Sequence, residues 1–86
     1  MKMKKKIEIL PLLDYYVVAV RDKDTLMLEK TFTLNESGVD MLKLFCQNKD
    51  EKEVAKEIAT LYETPVDIVM PDVHKFADSL RKKELL

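Results

Sequence analysis

Hydrophobic and polar positions in the first 34 residues follow the two-residue period of β-strands. Pro11 ends one apolar run, and the polar tetrapeptide at residues 21–24 supplies turn-forming aspartates between two others. The three strand-like runs are residues 7–10, residues 15–20 and residues 25–34. In the third run the same parity carries Leu26, Leu28, Phe32 and Leu34. The pattern predicts a three-stranded antiparallel sheet with a hairpin before the last strand, and leaves open whether Glu29 and Lys30 form a bulge.

From Asn35 onward the period changes to that of an α-helix. Asn35 is a favourable N-cap residue, and apolar residues then recur at helical spacing as far as about Gln47: Val39, Leu42, Phe45 and Cys46. Asp50 and Glu53 form a D-x-x-E capping box. A second apolar stripe follows this box, at Val54, Ile58, Leu61 and Tyr62. Two capped helices are therefore predicted in succession.

A third helix is predicted towards the end of the chain. Its apolar face is formed by Val69, Val73, Phe76, Ala77 and Leu80. Pro71 interrupts this segment and allows two interpretations. Either the helix begins near Met70, with Pro71 in the first turn, or a longer helix from Pro65 is kinked at Pro71.

Strands followed by three helices predict an α+β, winged helix-turn-helix-like fold. With 86 residues, 47% hydrophobic and 36% charged, the chain suits one small domain spanning residues 1–86. Its basic tail, residues 1–6, is interpreted as a solvated terminus that need not be ordered. A net charge of -1 gives none of the basic excess expected of a nucleic-acid binder. One cysteine, no signal-peptide pattern and no apolar run of membrane-spanning length indicate a cytoplasmic protein without a membrane partner.

Two short motifs carry a resemblance to a known family. Leu34-Asn35-Glu36-Ser37-Gly38 stands at the predicted strand-to-helix junction, and Asp72-Val73-His74-Lys75-Phe76 stands in the last helix. Their order and spacing resemble the PqqD-like family, the recognition elements for ribosomally made, post-translationally modified peptides. The resemblance covers roughly residues 15–86.

The resemblance implies a peptide-binding function. The single histidine and single cysteine form no dyad or metal set with their sequence neighbours, so no catalysis, cofactor or metal is expected. The resemblance also implies that the leader segment of a precursor peptide is added as a strand to the third strand and is closed in by the third helix. The bound peptide would be presented to a modifying enzyme such as a radical SAM maturase. By position, the site is expected to comprise Leu26, Met27, Leu28, Glu29, Lys30, Thr31, Phe32, Asp72, Lys75, Phe76, Ser79 and Lys83. Phe76 and Leu28 are expected to form an apolar floor, and Lys75 and Lys83 to meet acidic leader residues.

Other functions are weighed against this one. A winged-helix DNA-binding regulator is the main alternative, but acidic residues scattered through the last two helices would repel phosphate. The Asp78-Ser79-Leu80 triplet resembles that of carrier proteins, yet it lies too close to a basic chain end. His74 is interpreted as a surface residue, and Cys46 as a buried, inert thiol. The exposed third strand also allows a homodimer.

Overall fold

The computed structural model describes residues 2–86 as an antiparallel sheet followed by three helices. The strands are β1 (Lys6–Pro11), β2 (Tyr16–Arg21) and β3 (Leu28–Leu34), and the helices are α1 (Glu36–Cys46), α2 (Glu51–Leu61) and α3 (Val66–Lys82). The strand order is β1-β2-β3, with both pairs antiparallel. This architecture confirms the predicted α+β fold.

One face of the sheet and one stripe of each helix form the core. Val18 and Val20 of β2 are fully buried, and the half-buried apolar residues of the outer strands pack around them: Ile7, Ile9, Phe32 and Leu34. The helices contribute Leu42, Phe45, Val54, Val73 and Leu80. Because side chains alternate along a strand, the opposite face of the sheet carries Ala19, Arg21 and their neighbours.

A bulge changes the side-chain parity at the start of β3. Val20 lies opposite Lys30, but Arg21 lies opposite Leu28, so Glu29 is the extra residue. The hairpin before β3 is longer than the predicted tetrapeptide. Its Asp22 carboxylate accepts hydrogen bonds from the backbone N–H groups of Thr25 and Asp24, which lower the pKa of Asp22. In the same turn Leu26 has a φ of 63°, in the left-handed region.

The junction between β3 and α1 explains the Leu-Asn-Glu-Ser-Gly motif. Asn35 Oδ1 accepts hydrogen bonds from the backbone N–H of Gly38 at 2.9 Å and from the hydroxyl of Ser37 at 3.1 Å. A Cβ on Gly38 would lie 3.2 Å from Asn35 Oδ1 and 3.2 Å from Leu34 Cδ2. The glycine therefore allows the first turn of α1 to pack tightly against the end of β3.

The predicted capping box of α2 is also confirmed, whereas the prediction of the apolar stripe that follows it is partly wrong. Asp50 and Glu53 form a complete capping box. Val54 and Ile58 are buried as predicted, but Leu61, the last residue of α2, is 61% exposed. Tyr62 is also exposed, at 43%, and the residues of α2 that are buried instead are Ala55 and Ala59.

The third helix begins at Val66 and continues through Pro71, so its length is that of the longer alternative, whereas the kink at Pro71 stays a prediction. Pro71 lies inside α3 as its sixth residue and cannot donate the backbone bond that the Asp67 carbonyl would otherwise accept. A helix beginning near Met70 would not include Val69. The buried stripe of Val69, Val73, Ala77 and Leu80 offsets the missing bond.

The amino-terminal segment is attached to the fold, contrary to the expectation of a solvated terminus. Met3 is buried against the core, and the Lys4 N–H donates to the Leu85 carbonyl at 2.8 Å. Lys6 already belongs to β1. In the described residues, no helix is both long and apolar enough to cross a membrane.

Candidate peptide-binding groove

β3 is an edge of the sheet and turns part of its backbone outward. The Leu12 N–H donates to the Tyr15 carbonyl at 2.9 Å, so these two residues are a hydrogen-bonded pair. Bonded and non-bonded pairs alternate along an antiparallel ladder, so every second residue of β2, counted from Tyr15, bonds to β1. The remaining residues of β2 bond to their partners on β3, namely Lys30, Phe32 and Leu34. Within residues 2–86, the N–H and C=O groups of Thr31 and Thr33 are therefore left on the outer edge.

The carboxyl-terminal end of α3 lies against the inner face of β3. Lys83, the C-cap residue of α3, places its Nζ 5.0 Å from the centroid of the Phe32 ring. Lys30 Nζ donates to the Lys83 carbonyl oxygen at 2.9 Å. These two contacts bring three of the predicted site residues together: Lys30, Phe32 and Lys83. We call the strip between the outer edge of β3 and the exposed flank of α3 the groove.

The flank of α3 that carries Lys83 also carries Phe76 and Ser79. Phe76 is half-buried and stacks on the buried ring of Phe45, with centroids 6.3 Å apart and planes at 23°. Ser79 Oγ donates to the Phe76 carbonyl at 2.7 Å. The Phe76 ring is thus supported by the Phe45 ring, and the Ser79 hydroxyl already donates a hydrogen bond within its own helix.

The predicted site residues include three lysines and two carboxylates, Glu29 and Asp72, so their balance is positive by one charge. Lys30 and Lys75 are exposed and Lys83 is half-buried, and none of the three forms an ion pair within the described part of the chain. The Glu29 carboxylate is already paired with Lys5 Nζ at 3.0 Å, an interaction that raises the pKa of Lys5 through its hydrogen bond. A bound chain would therefore meet unpaired cations along this flank.

A mostly apolar cavity of about 290 Å³ lies between the start of α1, the end of α2 and the amino-terminal half of α3. Its lining residues are Ser37, Met41, Ile58, Tyr62, Thr64, Ile68, Val69 and Asp72. Of the predicted site residues, only Asp72 lines it. Ile68 is 61% exposed and was not among the predicted site residues, because it lies off the buried stripe of α3. Thr33 was not among them either, since the predicted edge ended at residue 32.

Two of the predicted edge residues lie outside β3, and a third points to the other face of the sheet. Leu26 and Met27 belong to the turn before β3, so the expected edge at residues 26–32 begins two residues too early. Leu28 lies opposite Arg21, and paired residues of an antiparallel sheet share a face. Because Val20 points into the core, Arg21 and Leu28 point away from it. Leu28 and Phe76 are therefore not on one apolar floor.

A second cavity, of about 470 Å³, lies on the other flank of α3, between it and α2. It is lined by Lys52, Lys56, Val66, Asp67 and Met70, none of which was predicted to bind peptide. Its size alone does not make it the better candidate. It lacks a free strand edge, and strand addition needs one.

The remaining reactive side chains are engaged or weakly reactive. His74 is exposed and its Nδ1 lies 2.7 Å from Glu51 Oε1; this hydrogen bond, with the nearby Asp78, raises the pKa of His74. Partial burial tends to raise the pKa of Glu51, but hydrogen bonds from Arg81 and His74 lower it overall. Cys46 is exposed rather than buried, because α1 ends there, although partial enclosure of the thiol still raises its pKa. Residues 2–86 contain no group of three or more potential metal ligands.

A sequence model of one family matches most of the chain. The family is described as coenzyme PQQ synthesis protein D (PqqD), and the match covers residues 22–86. The chain belongs to the PqqD family. Both motifs that carried the resemblance lie within the matched range, whereas β1 and β2 precede it. No curated protein sequence matches this PqqD-family chain.

A solved structure has the same fold as this PqqD-family protein. It is described as TbiB1 in complex with the TbiA(beta) leader peptide, and it superimposes with a TM-score of 0.73. The match covers 100% of this chain and 94% of that chain, at 24% sequence identity. The sheet and all three helices therefore have counterparts in TbiB1, including the strands that precede the family match.

Proposed function

We propose that this protein binds the leader segment of a ribosomally made precursor peptide and presents it to a separately encoded modifying enzyme. The observation that carries the proposal is the unpaired edge of β3 beside the cationic flank of α3. Membership of the PqqD family and the fold shared with TbiB1, a protein described in complex with a leader peptide, support it. The protein itself acts as a binding partner and not as a catalyst.

The leader is held by strand addition. Its backbone pairs with the outward N–H and C=O groups of Thr31 and Thr33, which gives affinity with little dependence on sequence. Every second leader side chain then points to the inner face of the sheet, between Phe32 and the flank of α3. Selectivity comes from these side chains, and an apolar one beyond Leu34 enters the cavity beside Ile68.

Charge selects leaders with acidic residues near the carboxyl-terminal end of α3. Lys83 and Lys30 are adjacent, so one acidic leader side chain over Phe32 can meet both ammonium groups. Lys75 lies further along the helix and serves a second acidic position. These contacts are solvent-exposed, and their contribution therefore falls as the salt concentration rises.

The gain in modification rate comes from proximity. A leader held on β3 keeps the rest of the precursor near any enzyme that also contacts this protein, which raises the local substrate concentration. A radical SAM maturase is the class of modifying enzyme that we propose. Since the chemistry belongs to that enzyme, the same recognition protein is compatible with different reactions.

An amide chemical-shift titration with synthetic leader peptides, drawn from short open reading frames of the source organism, tests the function. We expect saturable shifts in β3 and in the Phe76–Lys83 flank of α3. The double variant Lys75→Glu, Lys83→Glu should bind an acidic leader more weakly than wild type. If this variant bound the leader with wild-type affinity, the proposed selection of acidic leaders by these lysines would be wrong. Duplex DNA is the control ligand. Shifts with DNA and none with any leader would overturn the proposal in favour of a regulator.

A further inference from the structure

The loop between β1 and β2 exposes an unusual amount of apolar surface. Within six residues of sequence, four large side chains are exposed: Leu10 (53%), Leu12 (51%), Leu13 (100%) and Tyr15 (44%). Exposed leucines that occur singly need no explanation, but a contiguous group marks an interaction surface. We call residues 10–16 the hairpin tip.

The hairpin tip is acidic as well as apolar. A cavity of about 290 Å³ at its base is lined by Leu12, Leu13, Asp14, Tyr15, Tyr16 and Glu36. The lining contains two carboxylates and no lysine or arginine, and neither Asp14 nor Glu36 forms an ion pair in the described part of the chain. The aromatic rings beside these carboxylates suit a guanidinium or ammonium group.

This surface lies at the opposite end of β3 from the lysines of the groove, and its charge is opposite to theirs. The groove is marked by Lys30 and Lys83 at one end of β3, whereas Tyr16 lies opposite Leu34 at the other end. The carboxylates of Asp14 and Glu36 therefore do not help to hold an acidic leader. The tip also precedes residues 22–86, the range that matches the family.

The charge of the tip argues against two other occupants. A second copy related by a two-fold axis would bring Asp14 and Glu36 against the same carboxylates of its partner. An anionic membrane surface would repel them as well. The complementary occupant is a different protein that presents apolar side chains together with an exposed arginine or lysine.

We infer that the hairpin tip is the docking surface for the modifying enzyme, which it engages through an apolar patch bearing a basic side chain. The inference rests on the proposed leader-binding function, because that function requires such an enzyme. Leu13 fills an apolar recess of the enzyme, and the carboxylates of Asp14 and Glu36 hold the basic group. The tip lies at the Leu34 end of β3, so the enzyme is placed where a bound peptide can leave the sheet.

The test begins with a photo-cross-linker, p-benzoylphenylalanine, in place of Leu13 in the full chain, expressed in the source organism. The same cross-linker at Lys56, an exposed position on α2, is the matched control. The cross-linked protein is identified by mass spectrometry, purified and assayed for modification of the precursor peptide. Its binding is then measured against wild type, Leu13→Ser and the double variant Asp14→Asn, Glu36→Gln.

The inference predicts that Leu13 cross-links to a peptide-modifying enzyme. Both variants should weaken enzyme binding about tenfold or more, as loss of a central interface anchor does, and change leader affinity less than about twofold. Cross-links only to a second copy, to lipid, to the precursor or to a protein without modifying activity would overturn it. Cross-linking from position 13 that is no stronger than from position 56 would also overturn the inference. Enzyme binding that is unchanged in both variants would overturn it as well. If wild type bound no leader, the proposed function itself would fail, which is a separate result.

Discussion

The substitution Thr31→Pro distinguishes strand addition from other modes of peptide binding in the groove. The N–H of Thr31 lies on the free edge of β3 and bonds to no residue of β2, as the register shows. Proline is tolerated in edge strands where its missing N–H would face solvent. Thr31→Pro should therefore fold, yet it removes one donor that the leader needs and places the pyrrolidine ring where the leader backbone approaches.

The expected loss of affinity follows from one broken backbone bond. Leaving the leader carbonyl unpaired costs about 1–3 kcal/mol, which corresponds to about a 5- to 150-fold increase in Kd. Thr31→Val is the matched control, because it retains the N–H and should bind within about twofold of wild type. Phe32→Pro is the opposite control. It removes a bond to β2 together with the half-buried ring, and should destabilise the fold by about 3 kcal/mol or more.

Fluorescence anisotropy with a labelled leader measures the Kd, and circular dichroism melting measures stability. Thr31→Pro should melt close to wild type and bind weakly. If Thr31→Pro melted as low as Phe32→Pro, the assignment of the edge-facing residues would be wrong. If it folded and bound the leader with wild-type affinity, the leader would not be added as a strand at this position.

Three further variants test the supporting structure. Asn35→Ala removes the cap on the Gly38 N–H and should cost about 1 kcal/mol, or about 4–8 °C in Tm, whereas Asn35→Ser should retain most of it; equal melting of all three proteins would refute the capping role. Phe45→Ala should cost about 3–5 kcal/mol in denaturant unfolding, because the buried ring also supports Phe76, and a loss below about 1 kcal/mol would contradict that packing. Because the pKa of His74 is raised in the folded state, its contribution to stability is complete below about pH 6.5 and is lost as the pH rises through the folded-state pKa. His74→Gln should therefore flatten the dependence of Tm on pH in this range, and an unchanged slope would exclude the Glu51 contact.

Short-range signals were the most predictable part of the fold. Asn35 and Asp50 cap their helices through bonds within three residues, and both were identified from residue type and spacing alone. The two family motifs likewise lie within single elements or their junctions. Sequence therefore predicted where α1 and α2 begin and which fold they build.

Features that depend on neighbouring elements were not predictable in the same way. The bulge at Glu29 reverses the parity of Leu28, and only the pairing with β2 reveals it. Whether Pro71 starts or interrupts α3 depends on how much apolar surface the longer helix buries. Cys46 and Leu61 share an apolar stripe with buried residues, yet each is the last residue of its helix and remains exposed.

The most direct test of the central claim is amide hydrogen exchange of Thr31 and Thr33 with and without a saturating leader peptide. Both N–H groups should exchange quickly in the free protein and become protected in the complex, whereas the Phe32 N–H, which is already bonded to β2, should change little. Protection of Thr31 and Thr33 that appears only with the leader is the result expected of strand addition. Exchange that stays fast in the saturated complex would contradict it, and protection already present in the free protein would mean that a second copy occupies the edge.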